Sequence, residues 1–240
     1  MEELKTILSD LIKEFLPGFI SIEEITRLSG GSSNETWKIL VKTNKKILNI
    51  IFRRTPGGNL KDKNSSNFVD ITDEAHVMKV AKKYNVPVPE IYMDINNKEI
   101  GKGFFMEYVG GETIGNRIVN NNEFQKIRPK LASKCGEIIA NIHKIPLSNF
   151  TKINTSLASD EINKYEEVYR NHSQHIPVFE YTLSWLKDNI PEKLPLKLIH
   201  GDFRNGNLII SRKNLIPGVL DWELFHQGDP YEDLSWICVN

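Results

Sequence analysis

The spacing of apolar residues changes from helical to strand-like soon after the N-terminus. Residues 2–16 predict an amphipathic helix, with acidic residues and lysines opposite one apolar stripe. That stripe consists of Leu4, Ile7, Leu8, Leu11, Ile12, Phe15 and Leu16. After Pro17 and Gly18, the segments EEITRL, ETWKILVK and KKILNIIFRR have the composition of strands, and a turn at 43–44 joins the last two. The pattern therefore predicts one helix followed by an antiparallel meander.

A second helix and two more strands are predicted next. The segment TDEAHVMKVAKKYN has helical spacing, with Thr72 or Asp73 as its N-cap. Its inward residues are expected to be Ala75, Val77, Met78 and Ala81. Strands are expected around EIYMDI and KGFFMEYV, and the glycines at 110–111 form the expected hinge because the composition changes there.

The second half of the chain is predicted to be mainly helical from about residue 112 to 189, with Pro129 near a helix start. One inward face consists of Ile127, Leu131, Ile138, Ile139 and Ile142. Short strands KLIH, LII and GVLDW follow, and a last helix begins near Asp229. We predict an α+β fold with two lobes, a small antiparallel-sheet lobe over 1–109 and a mainly helical lobe over 110–240.

Composition and charge are those of an ordinary globular protein. Hydrophobic residues make up 40% and charged residues 26%, with 31 basic against 31 acidic side chains. Zero net charge gives no overall reason to bind nucleic acid or an anionic membrane. The N-terminal helix is interrupted by charge and no run of ~18 apolar residues occurs, so neither a signal peptide nor a membrane span is predicted. We expect a cytoplasmic protein without nucleic-acid or membrane partners.

The stretch HGDFRNGN, residues 200–207, is the main candidate for chemistry. If LII and GVL form a hairpin, Asp202, Asn207 and Asp221 come to the same rim. Carboxylate and amide oxygens suit Mg²⁺, so Asn207 and Asp221 are candidate ligands. Asp202 would then be free to accept a proton from a hydroxyl. The alternative is that Asp202 and Asn207 only brace a tight loop through Asx turns.

Other parts of a phosphoryl-transfer site precede this stretch in the chain. Arg53, at the end of IIFRR, is a candidate cation and Glu74 its partner, although a weak surface ion pair is the alternative. The loop SGGSSN can bring backbone N–H groups to phosphates, or it can be a plain hairpin loop. The loop residues concerned are Gly30, Gly31, Ser32 and Ser33. Phosphate loop, cation, acid, base and metal-binding acid follow in the order that phosphoryl transfer needs in a two-lobed chain.

The sequence HGDFRNGNLII…GVLDWELFHQGDPYEDLSW resembles the aminoglycoside phosphotransferase and choline kinase superfamily, which has the protein-kinase-like fold. It is most similar to the branch associated with acyl-CoA dehydrogenases, whose members show HGD-aromatic-Arg, LDWE, GDPxxDL and an arginine-rich strand before Pro-Gly, here FRRTPGG. The resemblance covers residue 24 to the last residue and is firmest over 198–236. It implies a small-molecule kinase that uses ATP and Mg²⁺.

The resemblance also implies roles for single residues. Asp202 matches the catalytic base, and Asn207 and Asp221 match the magnesium ligands. Glu74 matches the helix glutamate, and Arg53 stands where lysine is usual. Arginine clamps phosphates bidentately but is longer and flatter than lysine, so the preference between ATP and GTP stays open.

The hinge that receives adenine corresponds to the backbone around Met106, which includes Glu107 and Tyr108. This correspondence rests on the resemblance alone.

Residues beside the central motif have roles of their own in this interpretation. Arg204 either pairs with an acid of the loop wall or meets an anionic acceptor, which makes it a candidate catalytic residue. His200 is expected to orient the loop through hydrogen bonds. In GDPYED, Asp229 is predicted to be an N-cap, with Pro230 in the first turn and Glu232 closing a capping box.

The predicted reaction is transfer of the γ-phosphoryl group of ATP to a hydroxyl of a small molecule. The branch resemblance favours a hydroxyacyl-CoA among small alcohols. The mixed-charge run EINKYEEVYRNHSQH lacks the dense acidic surface that an aminoglycoside needs. The alternative is a non-catalytic nucleotide-binding or regulatory module, because only 19 residues follow Asp221 and the helical lobe is expected to be truncated. The sequence gives no oligomeric state.

Overall fold

The first part of the fold is a five-stranded antiparallel sheet with two helices. The computed structural model describes residues 2–28, 34–55, 69–172, 174–191 and 195–239. In chain order the elements are α1 (Glu2–Phe15), β1 (Phe19–Arg27), β2 (Glu35–Thr43), β3 (Ile47–Arg54), α2 (Ile71–Lys83), β4 (Ile91–Asn97) and β5 (Gly101–Glu107). The strand order is β1-β2-β3-β5-β4. The predicted meander and the two later strands are therefore confirmed.

The two faces of this sheet pack against different helices. Along β3, Ile50 and Phe52 belong to the core that α1 covers, whereas Ile51 belongs to the core that contains α2. Side chains alternate between the faces of a strand, so Arg53 falls on the same face as Ile51, towards α2. The amphipathic stripe of the first helix is confirmed, since its residues pack in the first of these cores.

The N-cap of helix α2 lies two or three residues earlier than the sequence suggests. Asp70 is its N-cap, because its carboxylate accepts a hydrogen bond from the Thr72 backbone N–H at 2.9 Å. The prediction that Thr72 or Asp73 caps the helix is therefore wrong. The Asp70 carboxylate also accepts a hydrogen bond from the Thr72 hydroxyl, so the backbone N–H and the hydroxyl of Thr72 both donate to Asp70. The predicted inward residues of the helix are buried.

The second part of the described chain is mainly helical and carries two small sheets. Its elements are α3 (Gly115–Asn120), α4 (Arg128–His143), α5 (Ala158–Arg170), α6 (Pro177–Asp188), β6 (Lys197–Ile199), β7 (Leu208–Ser211), β8 (Leu215–Val219), β9 (His226–Gly228) and α7 (Tyr231–Trp236). Strands β7 and β8 form the predicted antiparallel hairpin. Strand β9, which pairs with β6, was not predicted, and α7 begins two residues after Asp229.

The α+β prediction is confirmed, and the boundary between the predicted lobes stays a prediction. A core of buried residues joins α2 and β5 to α4, β7 and β8, so side chains from both halves pack in one apolar cluster. Within the described residues, no helix has the length and apolar character needed to cross a membrane.

Candidate active site

A cavity of about 480 Å³ lies where the sheet meets the hairpin of β7 and β8. Arg53 and Glu74 line it from the first half of the chain, and Asn207 and Asp221 line it from the second. Residues predicted from distant parts of the sequence therefore share one space. The predicted phosphate loop residues Gly30, Gly31, Ser32 and Ser33 lie outside the described residues.

The guanidinium of Arg53 is buried among three carboxylates. Its Nε lies 3.1 Å from Glu74 Oε2, and its Nη2 lies 2.7 Å from Asp221 Oδ1 and 3.2 Å from Glu223 Oε2. Because Arg53 and Glu74 are both buried, a weak surface ion pair is ruled out. The contact with Glu223 was not predicted, although that residue is the last letter of LDWE.

Burial and crowding of acids shift the pKa values in this cluster. Burial raises the pKa of Glu74 to about 7, and the charges of Asp221 and Glu223 add to the increase while Arg53 opposes it. Burial opposes the charge of Arg53, yet the three carboxylates together raise its pKa. Arg53 therefore stays charged, and the pKa of Glu74 lies near neutral pH.

The loop after β6 ties Asp202 to Asn207. The Asn207 side-chain amide donates to Asp202 Oδ2 at 2.6 Å and to the Asp202 backbone oxygen at 2.9 Å. These hydrogen bonds brace the loop, as expected from the alternative in which Asp202 and Asn207 hold a tight turn. They also commit the amide nitrogen of Asn207 to Asp202, which leaves its oxygen as the group for a cation. Asp202 itself lies beside the cavity, next to Asn207.

Asp221 is held at the cavity by an unusual backbone conformation. Its φ is +63°, a left-handed value that few residues other than glycine, asparagine and aspartate adopt. The preceding Leu220 donates its backbone N–H to the Asn207 backbone oxygen at 2.8 Å, so the chain segments of Asn207 and Asp221 are adjacent.

The donor chemistry at this place fits Mg²⁺. One amide oxygen and one carboxylate from adjacent segments, open to a cavity, are what that ion uses together with waters and substrate phosphates. Among the described residues no group of three or more His, Cys, Asp or Glu side chains forms a cage for a metal. A cation here would therefore depend on the nucleotide for further ligands.

Asp233 anchors the start of the loop from behind, and the sequence interpretation missed it. This buried carboxylate accepts hydrogen bonds from the backbone N–H groups of His200 and Gly201, each at 3.0 Å, and from His143 Nε2 at 3.0 Å. The signal was present in the quoted GDPxxDL pattern, whose second acid is Asp233. The interpretation concentrated on the first acid of that pattern instead.

His200 orients the loop, as predicted. Its Nδ1 accepts from the Asp202 backbone N–H at 3.2 Å, and its Nε2 donates to the Leu220 backbone oxygen at 3.1 Å. Burial lowers the pKa of His200, which fits a neutral ring with the proton on Nε2. The ring thus connects the loop of Asp202 to the segment that carries Asp221.

The predicted capping box at α7 is half right. Asp229 Oδ1 accepts from the Tyr231 backbone N–H, the first of α7, at 2.9 Å, although the N-cap position directly before the helix is occupied by Pro230. Glu232 does not reach back to Asp229, because its Oε2 accepts from His226 Nε2 at 3.0 Å instead. Burial opposes protonation of His226, but Glu232 raises its pKa.

Arg204 pairs with the candidate base itself. Its Nε lies 2.9 Å from Asp202 Oδ1 and 3.1 Å from Oδ2. Arg204 was expected to pair with an Asp or Glu of the loop wall or to meet an anionic acceptor, and its acidic partner is Asp202 of the same loop. A role for Arg204 towards an acceptor stays a prediction.

The far end of the cavity is formed by the chain that leaves β5. Met106, Glu107 and Tyr108 line it, together with Lys38 from β2. The Glu107 backbone N–H donates to the Glu90 backbone oxygen at 2.8 Å, and the strand ends at this residue. The backbone beyond Glu107 leaves the sheet beside the cavity, and its role in holding adenine stays a prediction.

Comparisons with known proteins identify the family of this chain. Residues 24–240 match the family model described as "APH: Phosphotransferase enzyme family". The chain is 27% identical to acyl-CoA dehydrogenase family member 10 of Mus musculus, over 96% of this chain and 22% of that protein. It is also 27% identical to acyl-CoA dehydrogenase family member 11 of Homo sapiens, over 95% of this chain and 30% of that protein. The chain thus spans less than a third of the length of these curated relatives.

Solved structures share the fold at low sequence identity. The GDP complex of aminoglycoside 2'-phosphotransferase-IIIa superposes with a TM-score of 0.71 at 16% identity, over 97% of this chain and 77% of that one. Choline kinase from Cryptosporidium parvum Iowa II gives a TM-score of 0.58 at 14% identity, over 96% and 67%. These similarities show a kinase-like phosphotransferase fold.

Proposed function

The chain belongs to the phosphotransferase enzyme family, and on that premise we propose that it moves the γ-phosphoryl group of ATP to a hydroxyl of a small molecule. The main support is that Arg53, Asn207 and Asp221 line one cavity, with Asp202 bonded to Asn207 beside it. A cation, two hard oxygen ligands and a carboxylate base are the groups that phosphoryl transfer requires around a triphosphate.

Each group has a distinct task in this proposal. Asp202 accepts the proton of the acceptor hydroxyl while that oxygen bonds to the γ-phosphorus and the bond from phosphorus to the ADP oxygen breaks. Arg53 binds phosphate oxygens, and Glu74 holds its guanidinium in place. Asn207 and Asp221 hold Mg²⁺, which neutralises phosphate charge when it is bound. The backbone at Glu107 and Tyr108, with the 30–33 loop, completes the nucleotide site.

We propose a hydroxyacyl-CoA as the acceptor. The two relatives described above are named acyl-CoA dehydrogenase family members and match nearly the whole of this chain. Arg204, half-exposed beside the base, offers a cation to an anionic acceptor. An aminoglycoside is a poorer fit because it is polycationic. The cytoplasm remains the proposed compartment.

A non-catalytic nucleotide-binding module is the second candidate, and one contact favours it. Asp221 Oδ1 lies 2.7 Å from Arg53 Nη2, so the candidate metal ligand is already paired with the candidate phosphate-binding cation. Catalysis requires this pair to loosen when metal and nucleotide enter. A chain in which the pair persisted would bind nucleotide without turning it over.

Calorimetric titration of ATP with and without Mg²⁺ tests the proposal. Binding that needs both the metal and Asp221 is expected, so Asp221→Ala should abolish it. Asp94→Ala is the matched control, because Asp94 forms an exposed pair with Lys79 away from the cavity. ADP release is then measured with a short hydroxyacyl-CoA, the corresponding free hydroxy acid and an aminoglycoside. Metal-dependent binding without ADP release from any hydroxyl compound would favour the non-catalytic module.

A further inference from the structure

The carboxylate of Asp202 is surrounded by hydrogen-bond donors on both oxygens. Oδ1 accepts from Trp236 Nε1 at 2.6 Å and from Arg204 Nε at 2.9 Å. Oδ2 accepts from Asn207 Nδ2 at 2.6 Å and from Arg204 Nε at 3.1 Å. An ionised carboxylate has about four acceptor positions. Donors of the protein therefore fill the acceptor positions of the Asp202 carboxylate, and an incoming hydroxyl has to replace one of these donors.

The three donors differ in how firmly they are held. Asn207 is buried, and its amide also donates to the Asp202 backbone oxygen. Arg204 shares its Nε between both carboxylate oxygens, and its guanidinium lies against the loop, with Nη1 only 2.7 Å from where a Cβ at Gly206 would be. Trp236 makes a single bond, to Oδ1, and is 44% exposed, whereas Arg204, with a side chain 52% exposed, contacts both oxygens. Release of the indole therefore costs one hydrogen bond to the carboxylate, and release of Arg204 costs its contacts with both oxygens and the charge pairing.

We propose that Trp236 is a specificity-determining residue that reserves the base for the acceptor. Its N–H occupies Oδ1 until an acceptor hydroxyl takes that position. This inference rests on the proposed function. An acceptor brings binding energy from the rest of its structure to displace the indole, whereas a water molecule brings none.

The reaction that Trp236 suppresses is hydrolysis of ATP. In that reaction a water molecule gives its proton to Asp202 Oδ1, its oxygen bonds to the γ-phosphorus, and the bond from phosphorus to the ADP oxygen breaks. The products are ADP and inorganic phosphate. An enzyme whose base is open between acceptors would lose ATP in this way.

Trp236 can be changed without removing the anchor of its helix. Asp233, one turn earlier, is bound to the His200 and Gly201 backbone N–H groups. Ile237, the next residue, packs against the apolar core. Trp236→Phe keeps an aromatic ring at this partly exposed position and removes the N–H donor together with part of the indole, so we expect normal folding.

The test is acceptor-independent release of ADP and phosphate from Mg²⁺-ATP. Trp236→Phe is expected to raise it about tenfold or more, since a hydrogen bond to a charged group has that weight in a rate. Trp185→Phe is the matched control, because Trp185 is 52% exposed on α6 and is expected to leave the rate unchanged. The additional hydrolysis should disappear in a double variant that carries both Trp236→Phe and Asp202→Asn. Trp236→Met, which also lacks the donor, should reproduce the increase.

Three results distinguish a failure of this inference from a failure of the proposed function. If Trp236→Phe and Trp236→Met bind Mg²⁺-ATP and melt as the wild type does, yet hydrolyse ATP no faster, the reserving role is overturned and the kinase proposal stands. A fall in turnover with acceptor and unchanged hydrolysis would also overturn it, since it indicates that Trp236 only positions the base. If the wild type binds no Mg²⁺-ATP, the proposed function fails first and this inference fails with it.

Discussion

Replacement of Asp233 by asparagine should destabilise the protein strongly, although the change is nearly isosteric. The carboxylate is fully buried and accepts from three donors, the backbone N–H groups of His200 and Gly201 and the ring of His143. Oδ2 accepts from His200 and His143 and Oδ1 from Gly201, so an asparagine whose amide oxygen takes the Oδ2 position turns its NH₂ group towards the Gly201 N–H. Leaving that buried donor unpaired, at roughly 1–3 kcal/mol, predicts a loss of about 2 kcal/mol in the free energy of unfolding.

The assay is urea unfolding at pH 7 together with thermal melting. In a chain of this size each kcal/mol moves Tm by about 2–4 °C, so Asp233→Asn should lower Tm by about 6 °C. Asp229→Asn is the matched control on the same helix, because asparagine caps helices as well as aspartate does. A loss of less than about 0.5 kcal/mol in Asp233→Asn, equal to the control, would refute the anchoring role.

The pH dependence of this difference is a second check on the same residue. Burial alone would raise the pKa of Asp233, but its hydrogen bonds from His143, His200 and Gly201 hold it below the usual value of 3.8. A depressed carboxyl pKa stabilises the folded state above the unfolded value, and that stabilisation is lost as pH falls through the folded value. The gap between wild type and Asp233→Asn should therefore be largest near neutrality and shrink below about pH 4.

Three further predictions follow from the site. Asp202→Asn should bind Mg²⁺-ATP within about twofold of wild type and lose about 10²-fold or more in turnover, measured by calorimetry and ADP release, and normal turnover would contradict the base role. The pKa of Glu74 is raised from 4.5 to about 7, so protonation of Glu74 contributes stability that is fully present below pH 4.5 and is lost as pH rises through 7. In urea unfolding, the stability of the wild type relative to Glu74→Gln should fall between pH 4.5 and 7, and a difference that does not change with pH would contradict this. Gly201→Ala should lower the free energy of unfolding by more than about 1 kcal/mol in the same assay, because Gly201 has φ +83° and a Cβ there would lie 2.5 Å from the Leu224 backbone oxygen. Gly136→Ala is the control and should not destabilise the protein, because a Cβ at Gly136 in α4 meets open space.

The local pattern of the sequence predicted most of the fold because the relevant information is itself local. Alternation along β3 places Arg53 on the face towards α2, and helical spacing along α2 buries Glu74 on its inner side. The strand period of β3 and the helical period of α2 are therefore enough to predict the pair of Arg53 and Glu74. The hairpin of β7 and β8 was equally accessible, since two short apolar runs flank one turn, and it brings Asn207 close to Asp221.

The parts that the sequence did not predict depend on contacts between distant segments. Strand β9 has only three residues and no apolar alternation, so its pairing with β6 has no local signal. Asp233 reads as an ordinary acid in the first turn of a helix, and only the packing of α7 brings it to His200 and Gly201. Glu232 accepts from His226 of β9, and this contact with another element takes the place of the expected local bond to the Asp229 backbone.

The charge around Arg53 predicts that nucleotide binding depends on a metal ion. One cation, Arg53, faces three carboxylates, Glu74, Asp221 and Glu223, which gives a net charge of −2 when all are ionised. Protonation of Glu74, whose pKa is about 7, changes this only to −1. The phosphates of ATP bring more negative charge, so metal-free ATP meets a repulsive site, and Mg²⁺ reduces that repulsion by cancelling two of the negative charges. Asp221→Asn should therefore weaken binding of Mg²⁺-ATP and, by removing one negative charge, reduce the penalty for metal-free ATP. Calorimetry with both forms of the nucleotide measures the two opposite shifts, and a parallel loss of both would show that Asp221 acts on structure and not on charge.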